Sequence, residues 1–150
     1  MSTSILYSIG ANTLSIWYGH LGIWYYERGY YLTAKANFET ALKYAKGVRD
    51  ERMEGVWTGY HGHVHRKLGN IDIATKCYDQ AYNTANRAND KQCTGLWLGW
   101  KGVIDMDHGQ YDDAQDNSKK ALNIANEIDT KKDGALWKVQ LGRVKKVIMS

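Results

Sequence analysis

Residues 51–90 read ERMEGVWTGYHGHVHRKLGNIDIATKCYDQAYNTANRAND, and residues 91–130 read KQCTGLWLGWKGVIDMDHGQYDDAQDNSKKALNIANEIDT. Laid one beneath the other, they agree without an insertion. Gly55 falls over Gly95, Trp57 over Trp97, Gly59 over Gly99 and Gly62 over Gly102. Further along, Gly69 falls over Gly109, Ala74 over Ala114, Ala81 over Ala121 and Ala85 over Ala125. The step of forty residues continues outward to Trp17, Gly22, Gly29, Ala34, Ala41 and Ala45 on one side, and to Trp137 and Gly142 on the other. Such self-similarity marks a repeat array, in which each unit buries its apolar face only against its neighbours.

Each unit reads as two helices. In the second unit the first helix is expected from about Arg52 to Leu68, ended by the turn chemistry of Gly69-Asn70. The second is expected from about Ile71 to Asn89, with Ala74, Tyr78, Ala81, Tyr82 and Ala85 at the three- and four-residue spacing of one helical face. Asp50 and Asp90 stand where a carboxylate caps the next helix and suits its dipole. Nothing alternates with period two, so no sheet is expected. The whole of 1–150 is read as one repeat domain, with units near 11–50, 51–90 and 91–130 and a capping helix near 133–149. Residues 1–10 match the tail of a preceding second helix. Lys138, Arg143, Lys145 and Lys146 give the cap a solvated face, as a solenoid end requires. The opposite end is apolar, with Ile5, Leu6, Tyr7, Ile9, Trp17, Ile23, Trp24, Tyr25 and Tyr26, and is expected to meet an earlier repeat or a partner.

Composition narrows the function. The chain has 150 residues, 43% of them hydrophobic, which suffices for a sizeable core. No apolar run is long enough for a membrane span, and no secretory signal is recognisable. A net charge of +4 from scattered Lys and Arg argues against a nucleic-acid partner. Cys77 and Cys93 form neither a CxxC pair nor a zinc spacing; reduced thiols and a cytoplasmic location are expected. Proline is absent, whereas there are 15 glycines, 6 tryptophans and 11 tyrosines.

With the turn glycine counted as position 15 of a motif, small residues fall at positions 8, 20 and 27, and aromatic or aliphatic residues at 17. Position 24 is aromatic in the first two units only. This pattern resembles the tetratricopeptide repeat. It is closest to the longer subclass of kinesin light chains, Pins-type scaffolds and bacterial signalling arrays, whose repeat joint carries Ala…Asp followed by G-x-x-G. Here these are Ala45, Asp50, Gly59 and Gly62, then Ala85, Asp90, Gly99 and Gly102. The resemblance implies an all-α, right-handed α-solenoid of about three helix-turn-helix repeats with a C-terminal capping helix. It also implies a non-enzymatic scaffold that binds a peptide or protein on the concave face of its first helices. The peptide-clamping asparagines of that subclass are replaced here by His20, Tyr60, Trp100 and Gln140, and by Ile23, His63, Val103 and Arg143. A more aromatic contact surface is implied.

Candidate partner-binding residues are therefore His20, Ile23, Tyr60, His63, Trp100, Val103 and Arg143, with Tyr60 and Trp100 as aromatic anchors. Gly55, Gly59 and Gly62 share one stripe of a helix, as do Gly95, Gly99 and Gly102. Each costs about 1 kcal/mol relative to alanine, so the stripe needs a compensating role. Either neighbouring helices pack closely there, or Gly19, Gly59 and Gly99 floor a groove open to a ligand. Trp17, Trp57, Trp97 and Trp137 are expected to be buried between repeats. His61 and His65 share a helix face while His63 points elsewhere, and a third ligand would have to come from His20, Asp105 or Asp107. No metal and no cofactor is expected. No catalytic motif is present, so no catalytic residue is proposed. Two other functions compete with the scaffold reading: end-to-end self-assembly of the chain as a homo-oligomer through its apolar N-terminal end, and ligand sensing within a larger regulatory protein.

Overall fold

The computed structural model describes residues 3–150, apart from the side chains of Thr3, Ser4, Leu6 and Ser8. Met1 and Ser2, counted above in the helix tail of residues 1–10, and the Leu6 side chain, counted with the apolar end, lie outside the described residues. Seven α-helices follow one another: α1 (Thr3–Glu27), α2 (Tyr31–Gly47), α3 (Glu51–Lys67), α4 (Ile71–Arg87), α5 (Lys91–Asp107), α6 (Tyr111–Glu127) and α7 (Lys131–Ile148). Among the described residues there is no strand, and no helix is long and apolar enough to cross a membrane.

The repeat step reappears as identical helix limits. α3 and α5 each close on a glycine with positive φ, Gly69 at 83° and Gly109 at 74°, a conformation that an L side chain resists. The Gly69 amide donates to the Arg66 carbonyl and the Asn70 amide to the His65 carbonyl, so the last carbonyls of α3 are satisfied within the turn. At the opposite ends, the Asp50 carboxylate accepts from the Met53 amide at 3.0 Å and the Asp90 carboxylate from the Cys93 amide at 3.1 Å. These are the two expected caps. Asp50→Ala is expected to cost about 1 kcal/mol in a urea melt, and an unchanged midpoint would show that the cap contributes nothing.

The N-terminal segment differs from expectation. Residues 3–10 are not the tail of a separate second helix: α1 runs unbroken from Thr3 to Glu27. Gly10 alone marks the joint, without the Gly-Asn pair that ends α3, and a single helical glycine lowers helix stability by only about 1 kcal/mol.

The chain forms two compact units, 1–80 and 81–150. In the first, α1 packs on α2 and α2 on α3. Its core is Ala34, Phe38, Ala41 and Ala45 of α2 with Trp57 and Val64 of α3. Alanines at this spacing let a tryptophan lie close to the helix. Its indole Nε1 donates to the Ser15 hydroxyl at 3.1 Å, and that hydroxyl donates to the Ala41 carbonyl at 2.8 Å, so no polar group of the triplet is stranded. In the second unit α6 packs on α5 and α7, around Leu98, Ala121, Ala125 and Trp137.

Candidate functional site

The glycine stripe has a packing explanation. A Cβ on Gly19 would fall inside the Trp57 ring, and one on Gly99 inside the Trp137 ring. One on Gly22 would lie 2.7 Å from Phe38, and one on Gly62 2.9 Å from the Cys77 Cβ. A missing side chain on one first helix thus seats the indole of another, which compensates the helix-propensity cost. The alternative of an open groove floor at Gly19 and Gly99 is corrected: both glycines are buried beneath tryptophan. Gly59 is buried as well.

Trp57, Trp97 and Trp137 are buried as expected, whereas Trp17 is exposed. The indoles of Trp57 and Trp137 each rest on a glycine 38 residues earlier in the chain.

Residues 1–80 hold a cleft between α1 and α3, about 570 Å³ in volume. Ile16, His20 and Ile23 of α1 form one wall; Arg52, Met53, Val56, Trp57 and Tyr60 of α3 form the other, with Asp50 at the α3 N-terminus. Its surface is mostly apolar. The two walls are helical stripes, 16-20-23 and 52-56-60, so spacing alone brings each set to one face. Three sequence-predicted contacts, His20, Ile23 and Tyr60, come together here. Tyr60 is held against the core, its ring stacked on Phe38 at 5.5 Å and tilted against Trp57 at 5.8 Å. His20 meets Trp57 edge-on at 6.2 Å. Rigid aromatic walls of this kind lose little entropy when a ligand docks.

His63, the fourth candidate in this unit, does not face the cleft opening and is corrected. It is buried, and its Nδ1 lies 2.7 Å from the Tyr78 hydroxyl. Burial, reinforced by the Arg66 and Lys67 charges, lowers its pKa to about 3, so the imidazole is neutral at physiological pH. It is a core hydrogen-bonding residue.

In residues 81–150, Trp100 and Val103 are half-buried against Leu98, Ala121, Ala125 and Trp137, and Trp100 meets Trp137 edge-on at 6.1 Å. Arg143 is exposed on α7.

The other histidines have local partners. His61 Nε2 lies 3.2 Å from Glu39 Oε1, its Nδ1 lies 4.0 Å from Cys77 Sγ, and its ring meets His65 at 4.5 Å. Among the described residues no three His, Cys, Asp or Glu side chains converge to hold a metal. Burial pushes the Cys77 thiol up to about 11, which keeps it protonated and unreactive.

Sequence reading missed Ile16, Met53 and Val56. Ile16 lies one helical turn from His20, and Val56 and Met53 lie one and two turns before Tyr60. Extending those positions along their stripes would have found them.

Comparison with known proteins agrees at the level of fold. No family model and no curated protein matches the chain. Among solved structures it is similar to BtubC (BKLC) from P. vanneervenii, with a TM-score of 0.80 and 22% sequence identity over 91% of this chain. The match takes in 57% of BtubC, so the chain spans a little over half that protein's length. The all-α, tetratricopeptide-like α-solenoid fold is shown on this ground.

Proposed function

We propose that the chain is a non-enzymatic, cytoplasmic protein-interaction module, and that it takes a peptide or protein segment into the cleft between α1 and α3. The observation that carries this reading is the convergence of His20, Ile23 and Tyr60, together with Ile16, Met53 and Val56, on one largely apolar cavity. Concave apolar sites with a few polar groups are where binding concentrates. Tyr60 supplies an aromatic anchor of the kind that dominates interface energies. The occupant is a short segment led by one or two large apolar side chains. Within residues 81–150, Trp100, Val103 and Arg143 are further candidate contacts of that unit. The structural likeness to BtubC supports an array suited to scaffolding.

The test is peptide selection on the immobilised full chain, followed by affinity measurement on variants. Ile16→Asp places a charge in the cleft from an exposed position and is expected to weaken the selected peptides by about 2 kcal/mol. Trp17→Ala, on the neighbouring face of α1, leaves them unchanged. Peptides that bind Ile16→Asp as well as wild type would refute the cleft as the site.

Self-assembly through the N-terminal end is the second reading, favoured by the exposed Ile5, Tyr7, Ile9 and Trp17. Light scattering over a concentration series decides it, because a strict monomer at high concentration removes it.

A further inference from the structure

Lys and Arg are scattered along the chain, but the acids that balance them are not. Residues 1–130 carry 14 Lys and Arg against 15 Asp and Glu, a net −1, whereas residues 131–150 carry 6 against 1, a net +5. The positive charge of the whole chain therefore sits on α7. Elsewhere basic side chains have carboxylate partners: Lys91 meets Glu127 at 2.8 Å, Lys120 meets Asp116 at 2.9 Å and Lys35 meets Glu39 at 3.5 Å. Among the described residues, Lys132, Lys138, Arg143, Lys145 and Lys146 form no ion pair. The helix dipole accounts for Lys145 and Lys146 alone, which lie in the last turn where positive charge is favoured. Lys131 and Lys132 open the helix, where it is disfavoured.

Steps of seven residues set these groups in lines along the exposed side of α7. Lys132, Val139 and Lys146 form the central line, with Leu136 and Arg143 on one flank and Lys138 and Lys145 on the other, all of them exposed. Trp137 and Val144 hold the opposite side in the core. The residues themselves show that the exposed side is not shaped to seat a repeat of this kind, whatever follows in the chain. Val139, 61% exposed, stands in register with Gly19 and Gly99, on which Trp57 and Trp137 rest. Its branched side chain occupies the space that an indole takes there. Lys138 stands in register with Leu98, which is 6% exposed, and a lysine covered in the same way would be buried without a partner.

We infer that the exposed side of α7 docks on an anionic phospholipid surface, with Leu136 and Val139 entering among headgroups held by the surrounding Lys and Arg. The inference does not rest on the cleft reading. One helix presents a convex side, which offers a peptide no groove. Nucleic-acid surfaces interleave their bases with aromatic or amide side chains, and α7 exposes neither, since Trp137 and Gln140 are buried. A bilayer matches both parts of the pattern. Its phosphates take the basic groups, its interfacial region takes the aliphatic ones, and the stems of Lys and Arg lie along the boundary. About four to eight bases on an amphipathic helix is the density that holds a protein to such a surface.

The test is sedimentation of the full chain with vesicles of phosphatidylcholine, alone or with about 30% phosphatidylserine. Binding is expected to the anionic vesicles only, and to be released as salt rises from about 0.1 M to about 0.5 M. Lys132→Gln with Lys146→Gln is expected to weaken it about tenfold or more. Lys43→Gln with Lys46→Gln removes the same charge from exposed positions on α2 and is expected to leave it unchanged. Val139→Ser is expected to weaken it about threefold or more, since the loss is of apolar contact rather than charge. Ile16→Asp in the cleft leaves it unchanged. Equal binding to neutral vesicles, equal loss from the two lysine pairs, or full binding by Val139→Ser overturns the inference. A chain that ignores anionic vesicles overturns it as well, and if it then binds poly-L-glutamate or duplex RNA, the basic side of α7 serves a soluble polyanion instead.

Discussion

Gly99→Val is expected to destabilise the chain by about 3 kcal/mol or more, against the direction that helix propensity alone would give. Inside α5, replacing glycine with a residue that bears a Cβ reduces backbone entropy in the unfolded chain and favours the helix, by about 1 kcal/mol for alanine. At position 99 the new carbon meets the Trp137 ring, which is buried among Leu98, Ala121 and Ala125. Overpacking a tight core costs about 1–3 kcal/mol, and expelling the indole forfeits burial on the scale of a tryptophan truncation, about 3–5 kcal/mol. The loss therefore exceeds the gain. Gly142→Ala is the matched control: it lies inside α7, is exposed, and an added Cβ meets nothing within 4 Å. It is expected to raise stability by up to about 1 kcal/mol. Urea melts of both variants check the pair. A Gly99→Val protein as stable as wild type would mean that Trp137 does not lie on this glycine.

The second large effect is a loss of stability in mild acid, carried by His63. Its folded pKa is lowered to about 3 while the unfolded value is about 6.5, so the unfolded chain binds the proton first. Stability is complete above pH 6.5 and declines as pH falls through the window from 6.5 to 3. From this residue the loss is about 1 kcal/mol at pH 5.5 and about 3 kcal/mol at pH 4.5. His61 and His65 are lowered in the same direction, chiefly by burial, and add to the slope. His63→Gln keeps a polar partner for the Tyr78 hydroxyl and removes the titration. Its melts are expected to depend less on pH between 6.5 and 4.5 than those of wild type. An identical pH dependence in the two proteins would contradict the buried neutral imidazole.

Most of the fold was legible because each contact between helices uses the same chemistry every forty residues. Trp57 and Trp137 fall on glycines in the same register, Asp50 and Asp90 cap equivalent helices, and Gly69 and Gly109 end equivalent first helices. Three features were not legible, each for a physical reason. Trp17 carries the same letter as its repeats, but burial depends on a neighbour rather than on the residue. The continuity of α1 through Gly10 follows from the absence of a turn partner, a weaker signal than a turn itself. His63 stands in register with Ile23 and Val103, which are half-buried, yet it bonds Tyr78, and position 118 in the next repeat is Ser. Periodicity fixes which helix face a residue occupies; it does not decide how far inward a polar side chain reaches for a partner. The cleft was half legible for the same reason: His20, Ile23 and Tyr60 stood out as departures from a pattern, while Ile16, Met53 and Val56 conform to an ordinary apolar stripe.

The claim that a partner segment enters between α1 and α3 is tested most directly by the indole N–H signals of the 6 tryptophans in a two-dimensional NMR titration of the full chain with a selected peptide. The Trp57 indole, which borders the cleft and donates to Ser15, is expected to shift progressively with peptide, while Trp137 stays fixed. A titration in which Trp57 holds still and other indoles move would place the peptide elsewhere and contradict the account.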